Sequence, residues 1–379
     1  MGQYSIFSTN YKSSKGRIFG EKDDPNRTCF MRDRDRIIHS SAFRRLKYKT
    51  QVFVHHEEDY FRTRLSHSLE VSQLSRSISK VFNINDDLTE SISLSHDLGH
   101  TPFGHAGEEV LNKKMKGKGG FNHNYQALKI LTVLEKKYLD FDGLNLTFET
   151  LDGILKHNGP ISSVLPSYIQ SFINFFDGKK NSQGSFEAQI AAICDDIAYN
   201  NNDIDDGLYA GLFEIEELNE LEIIKDALKK INLKKSKEYR RIKYELIRKL
   251  INIMVDDLIR NTKQNIQNFK IKNCYEILEL DKPLVVFGDE MKNKEKKLKV
   301  FLKNKMYNHP KVKTMNFKAK KIVSDLFDLY IDEPYLLPTG WRNFKNENEK
   351  YVNVSDYISG MTDNYAINIH KKYFDLYSH

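Results

Sequence analysis

Long apolar runs are the first thing this 379-residue sequence lacks. No stretch approaches the roughly 18 consecutive apolar residues of a membrane span, so the chain is expected to stay in the aqueous phase. The opening MGQYSIFSTNYKSS has no apolar signal core, and the myristoylation pattern fails because Ile6 stands at its Ser/Thr position. A cytoplasmic location is the expectation. Cysteine is scarce: Cys29, Cys194 and Cys274 are odd in number, far apart and free of CxxC pairing, which fits a reducing compartment and small core thiols. Neither GxxxxGK[ST] nor GxGxxG occurs, which argues against P-loop hydrolysis and dinucleotide chemistry. Only eight prolines interrupt the chain, and β-branched alternation is thin. Apolar residues instead recur at steps of three and four, the signature of an all-α protein.

Charge is plentiful and uneven. The formal net charge is +7, from 59 basic and 52 acidic side chains, and residues 292–321 hold twelve lysines against the single acid Glu295. Such a segment should carry positive potential and suit polyanions, single-stranded nucleic acid among them; the alternative is a solvated helical face.

One helix is expected over residues 64–81, where His67, Val71, Leu74, Ile78 and Val81 share a face, so His67 points inward. A second, over residues 89–100, sets His96 and His100 one turn apart, with Asp97 in its last turn and Thr101-Pro102 ending it. A third, over residues 186–202, is apolar around most of its girth and therefore central. On it, Asp195, Tyr199 and Asp203 follow at i, i+4 and i+8 along one ridge. Later helices are expected around Tyr244, Ile247, Ile251, Met254 and Leu258, and around Ala319, Ile322, Leu326 and Leu329. The glycine-bearing loops at 115–124 and 156–160 are those most suited to function.

His67, His96, Asp97 and Asp195 together offer two imidazoles and two carboxylates. Without a thiolate, that set suits a divalent cation held for hydrolysis, such as Mg, Mn, Fe or Co, better than a structural zinc. Each residue taken singly reads as a hydrogen-bonded core polar group; four on three core helices read as a metal site, because a shared cation removes the cost of burying the carboxylates. Past the His-Asp pair, His105 and Glu108 stand three apart, so that the carboxylate can orient the ring and favour its protonated form. Upstream, Arg44, Arg45, Lys47, Lys49, Arg62 and Arg64 gather near the His67 helix and suit a substrate with several phosphates.

The strings RDRDRIIHSSAFRRLKYKTQVF, RTRLSHSLEV, HDLGHTPFGHAGE, FNHNYQA, LKHNGP, EAQIAAICDDIAYNNNDIDDGL and DYISGMTDNYA follow one another in an order that resembles the deoxynucleoside triphosphate triphosphohydrolases, the dGTPase-like branch of the HD superfamily. The resemblance implies an HD-domain helical core over residues 32–212, preceded by an extension (1–31) and followed by further helices (213–379). It implies cleavage of a dNTP to deoxynucleoside and inorganic triphosphate by attack at the α-phosphorus. Homo-oligomers are usual in that family, and in parts of it another dNTP acts as an allosteric activator at subunit interfaces. Position by position, it implies that His67, His96, Asp97 and Asp195 hold one divalent metal ion. Asp195 is chosen over Asp196 because Tyr199 lies four residues on. His105, Glu108 and His123 match catalytic positions, while Gln51, Arg64, His100, Tyr199 and Asp203 fall on the substrate side. Tyr199 could stack under the sugar and exclude a 2′-hydroxyl. Two departures bear on pocket shape: Asn202 stands where the bacterial subgroup usually has His, and Glu58-Asp59-Tyr60 replaces Gly-Asp-His. The rival readings are another HD phosphohydrolase, a nucleotidase or phosphodiesterase, and a dNTP-sensing nucleic-acid-binding protein.

Overall fold

The structure, a computed structural model, describes residues 4–52, 60–162, 165–232 and 238–376. Helices α1 (Cys29–Ile38), α2 (Arg64–Phe82), α3 (Asp86–Ser95), α4 (His105–Lys114), α5 (His123–Lys129), α6 (Phe148–Leu155) and α7 (Phe186–Tyr209) make up the first part. The second part contains α8 (Tyr239–Asn268), α9 (Asp289–Leu302), α10 (Pro310–Asp332), α11 (Glu347–Ser359) and α12 (Asp363–Phe374), with shorter turns between. The fold is all-α: among the described residues the only extended pairings are the isolated bridges Thr50–Thr63 and Lys136–Gly143. No described helix is long and apolar enough to cross a membrane.

Small polar residues decide how closely the two site-bearing helices approach. Helix α2 buries Ser68, Ser72, Ser75 and Ser79, and α3 buries Thr89, Ser91, Ser93 and Ser95. Ser75 meets Ser93 at 2.8 Å and Ser79 meets Thr89 at 2.9 Å, hydroxyl to hydroxyl, so little side-chain bulk separates the backbones. Thr63 and Ser66 form a capping box at the start of α2, and Asn83 ends it in the left-handed conformation.

Helix α7 is central, as its composition requires. Its Ala188 and Ala191 belong to an apolar cluster with Leu88, Ile92 and Leu151, whereas Ile190, Cys194 and Ile197 belong to another with Leu250, Met254 and Leu298. A third cluster, including Phe103, Leu111, Val323, Phe327 and Ile358, joins α4 to α10 and α11.

Three sequence expectations need correction. The second helix starts at Asp86 and stops at Ser95, short of the expected 100. Beyond it Leu98 bonds Ser95 and His100 bonds Asp97 in tight three-residue steps, because the chain must pass flush against α5: a Cβ at Gly99 would lie 1.9 Å from the His123 carbonyl oxygen. The face of α10 is partly turned: Ala319 and Leu326 are buried as expected and Val323, Phe327 and Tyr330 join them, while Ile322 and Leu329 are half-buried. The lysine-rich segment is also less bare than its sequence suggests. Lys294, Lys297, Lys299, Lys305, Lys320 and Lys321 each meet a carboxylate within 2.8 Å, five of them on other elements.

Candidate metal and hydrolytic site

The first turn of α2, the turn after α3 and the middle of α7 meet at one point. There His67, His96 and Asp97, all buried, each offer a ligand atom within 4.8 Å of the others. Asp195 closes the group: its Oδ1 lies 2.7 Å from His67 Nε2 and 3.5 Å from His96 Nε2, and 27% of its side chain is exposed, which opens the cluster on that side. The chain thus brings together all four residues expected as ligands.

Each member is steadied from behind. Arg64 donates to Asp97 Oδ2 at 2.9 Å, and His100 Nε2 approaches Asp97 Oδ1 at 3.1 Å. His96 Nδ1 lies 2.6 Å from the Ser93 carbonyl, which turns the buried Nε2 toward the carboxylates, 3.5 Å from an oxygen of Asp97 and of Asp195. The Asn202 amide lies 3.3 Å from His67 Nδ1. His157 reaches Asp195 Oδ2 at 3.2 Å and stacks on His96, centroids 5.1 Å apart.

Electrostatics point the same way. Burial alone would keep His96 neutral, but Asp97 and Asp195 outweigh it and push the ring up to about 9. Burial would raise Asp97, yet Arg64, His96 and His100 hold it well below the usual carboxylate range; Asp195 is likewise held down by His96, His157 and His67. Two ionised carboxylates drawing a proton onto a buried ring amount to a site with negative charge to spare. Buried imidazole nitrogens facing carboxylate oxygens are the donor set a divalent cation takes, so the residues fit a metal ion.

Alongside lies a second group. His123 Nδ1 is 2.8 Å from Glu108 Oε1, whose oxygen also accepts the His123 backbone N–H at 3.0 Å. His105 Nδ1 stands 3.3 Å from Glu108 Oε2, with 64% of the His105 side chain exposed. Burial works to raise Glu108, but its bonds to His105 and His123 keep it far below its ordinary value, hence ionised. His100 stacks on His123 with centroids 4.0 Å apart. Burial, then Arg64 and His123, hold His100 well below its usual range, so it is a neutral ring. Glu108 lies in the first turn of α4, where the helix dipole favours a carboxylate.

On the far flank, Tyr199 faces His67 edge-on at 6.2 Å. Asp203, one turn on, accepts a short hydrogen bond from the Tyr307 hydroxyl; burial and nearby Asp206 push its carboxyl well above the ordinary range. Gln51 is buried, and its Oε1 has no hydrogen-bond partner among the described residues.

The basic cluster upstream largely disperses. Of its six residues only Arg64 touches the four-residue group. Arg62 is taken up by Asp205, Asp206 and Glu70, and Arg44 by the His39 carbonyl and Ser41. Lys49 is buried, donating to the carbonyls of His100 and Ser359. Glu58 and Asp59 lie outside the described residues. Sequence reasoning missed His157, although the 156–160 loop that carries it was singled out. It also missed Tyr307, 104 residues from Asp203 and delivered by a π-helical turn, Lys303–Tyr307, that no local pattern announces.

Residues 64–200 match the HD domain family, and residues 285–372 match the family described as phosphohydrolase-associated domain. The chain is 46% identical to a deoxyguanosinetriphosphate triphosphohydrolase-like protein of Parvibaculum lavamentivorans, over 98% of this chain and 96% of that protein. It is 45% identical to the protein so named in Brucella suis (97% and 95% covered) and 43% identical to deoxyguanosinetriphosphate triphosphohydrolase-like protein 1 of Mesorhizobium japonicum (98% and 95%).

Proposed function

This chain belongs to the deoxyguanosinetriphosphate triphosphohydrolase-like family of HD-domain hydrolases, and from that premise we propose that it cleaves dNTPs to deoxynucleoside and inorganic triphosphate. The observation that carries the reading is the convergence of His67, His96, Asp97 and Asp195, beside a Glu108 that holds two further imidazoles. A divalent cation, Mg or Mn for preference, bound by those four side chains would supply Lewis-acid polarisation of the α-phosphate and a more acidic water. Fe and Co are the alternatives.

The protein's own part is proton handling and placement. Glu108, kept ionised, holds His105 and His123 in place through its two carboxylate oxygens. His105, largely exposed, is free to give a proton to the departing 5′-oxygen or to align the in-line attack. His123 and neutral His100, stacked, line the phosphate side, with Arg64 placed to meet the α-phosphate from its bond to Asp97. Gln51, whose buried oxygen lacks a partner among the described residues, and Asp203 are matched to the sugar 3′-hydroxyl. Tyr199 packs below the sugar, where a 2′-hydroxyl would clash or lose its hydrogen bonds, a difference of a few kcal/mol. A second dNTP as activator and a homo-oligomer belong to the same reading.

Incubating the protein with each dNTP, singly and mixed, in Mg or Mn, and separating the products by anion-exchange chromatography tests it. Deoxynucleoside with intact triphosphate is the expected outcome; orthophosphate or pyrophosphate alone would assign the site to another phosphohydrolase chemistry.

A further inference from the structure

A carboxylate from the far end of the chain reaches both segments that flank the metal cluster. Asp363, the first residue of α12, is wholly buried. Its Oδ2 accepts the Thr50 backbone N–H at 2.9 Å and also the Thr50 hydroxyl, and its Oδ1 accepts the Phe103 backbone N–H at 2.8 Å. Thr50 immediately precedes Gln51 and bridges to Thr63, and the neighbouring Lys49 carbonyl accepts the Arg64 N–H at 3.1 Å. Phe103 stands two residues ahead of His105 with φ +61°, a left-handed conformation that is unfavourable for a non-glycine residue. Such a backbone persists only where its surroundings over-determine it. Next to it Gly104 also has positive φ, and a Cβ there would lie 2.8 Å from Arg64 Nη2, so the two segments press directly on each other. Lys49 makes a second tie of the same kind, its ammonium joining the His100 carbonyl to that of Ser359 at the end of α11.

We infer that Asp363 is a positioning residue that locks the substrate-side segment bearing Gln51 and Arg64 to the loop bearing His105 and Glu108. The phosphohydrolase-associated region thereby takes part in hydrolysis, although none of the four proposed metal ligands comes from it. The inference rests on the roles proposed above for those four residues. One carboxylate spanning two backbone segments fixes their separation to within a hydrogen bond, and misplacement on the ångström scale costs an enzyme up to about a hundredfold in rate.

Asp363→Asn tests it, since the amide keeps the shape but sets a donor against one of the two N–H groups. The full-length variant, folded and with its metal content unchanged, is expected to lose roughly tenfold to a hundredfold in kcat/KM. Amide hydrogen exchange at Thr50 or Phe103 should speed up by a similar factor. A milder variant isolates one arm: Thr50→Val, which removes only the hydroxyl link to Asp363, should raise KM with kcat held. An Asp363→Asn protein with both amides still protected and wild-type kcat and KM overturns the inference. Should that variant fail to fold, wild-type kinetics in Thr50→Val overturn it instead. If the wild-type protein cleaves no dNTP, the proposed function falls, while the exchange rates still judge the clamp.

Discussion

Behind each proposed ligand stands an outer partner: Ser93 for His96, Asn202 for His67, Arg64 and His100 for Asp97, and His157 for Asp195. Outer partners fix the ring tautomer and the carboxylate direction, and losing one typically weakens metal binding about 10- to 100-fold. A cation on His67 Nε2 puts the ring proton on Nδ1, which Asn202 can accept by turning its amide oxygen to the ring. Asn202→Ala is therefore expected to lower metal affinity within that range, measured by equilibrium dialysis against a chelator series, and Asn202→Asp to raise it. Asp195→Ala is expected to abolish both metal retention and turnover while far-UV circular dichroism stays helical; a metal-loaded, active variant would remove Asp195 from the site. Lys49 gives a pH signature. Burial, with Arg45 adding to it, pulls this ammonium down from 10.5 to about 7 in the folded protein. Between those values the unfolded chain binds a proton that the folded one has released, so stability contributed here rises with pH, at up to about 1.4 kcal/mol per pH unit. Below about pH 7 both states are protonated and the cost of burying the charge is felt in full. Chemical denaturation across that window should show the slope, and Lys49→Met should flatten it.

The turn after α3 shows what an element owes to its neighbours. His96, Asp97 and His100 leave the helix because Gly99 lies against α5, with a Cβ there meeting the His123 carbonyl oxygen at 1.9 Å and the Ala127 nitrogen at 2.3 Å. Gly99→Ala is expected to push α5 away, break the His100–His123 stack and cost about 1–3 kcal/mol, read as a lowered midpoint in urea together with reduced turnover. A midpoint within error of wild type would show that the contact is slack. Sequence periodicity finds α2 to within a residue, because its inward face is local information, and it finds the central character of α7 from apolar girth. It overruns α3, since the helix stops for a contact with a segment more than twenty residues on, which no 3.6-residue period encodes. The same limit hides His157 and Tyr307. Each becomes part of the site only when α7 presents Asp195 and Asp203 to loops that fold back from elsewhere. The four proposed ligands were legible because residue type, order and inward face coincide; the partners that steady them were not.

Over the whole molecule, charge is arranged by pairing rather than by segment. Residues 292–321 look like a polyanion platform in sequence, yet Lys294 meets Asp226, Lys297 meets Glu222, Lys299 meets Asp196, Lys305 meets Glu217 and Lys320 meets Glu109. These pairs fasten α9, α10 and the turn between them onto α7, on α4 and on the acidic helices near residues 215–229. Exposed pairs of this sort contribute little stability each, at most about 1 kcal/mol, but a lysine held by a carboxylate must break that contact before it can neutralise a phosphate. Binding of single-stranded DNA through this face should accordingly show a shallow salt dependence. Each phosphate neutralised on a single strand adds about −0.7 to the slope of log K against log salt. If the paired lysines stay with their carboxylates, the slope should fall well short of the roughly −8 that twelve free lysines would give. A fluorescence-anisotropy titration of labelled oligodeoxythymidine at several salt concentrations measures that slope. A value near −8 would mean that all twelve lysines turn to nucleic acid and that the paired arrangement opens on binding.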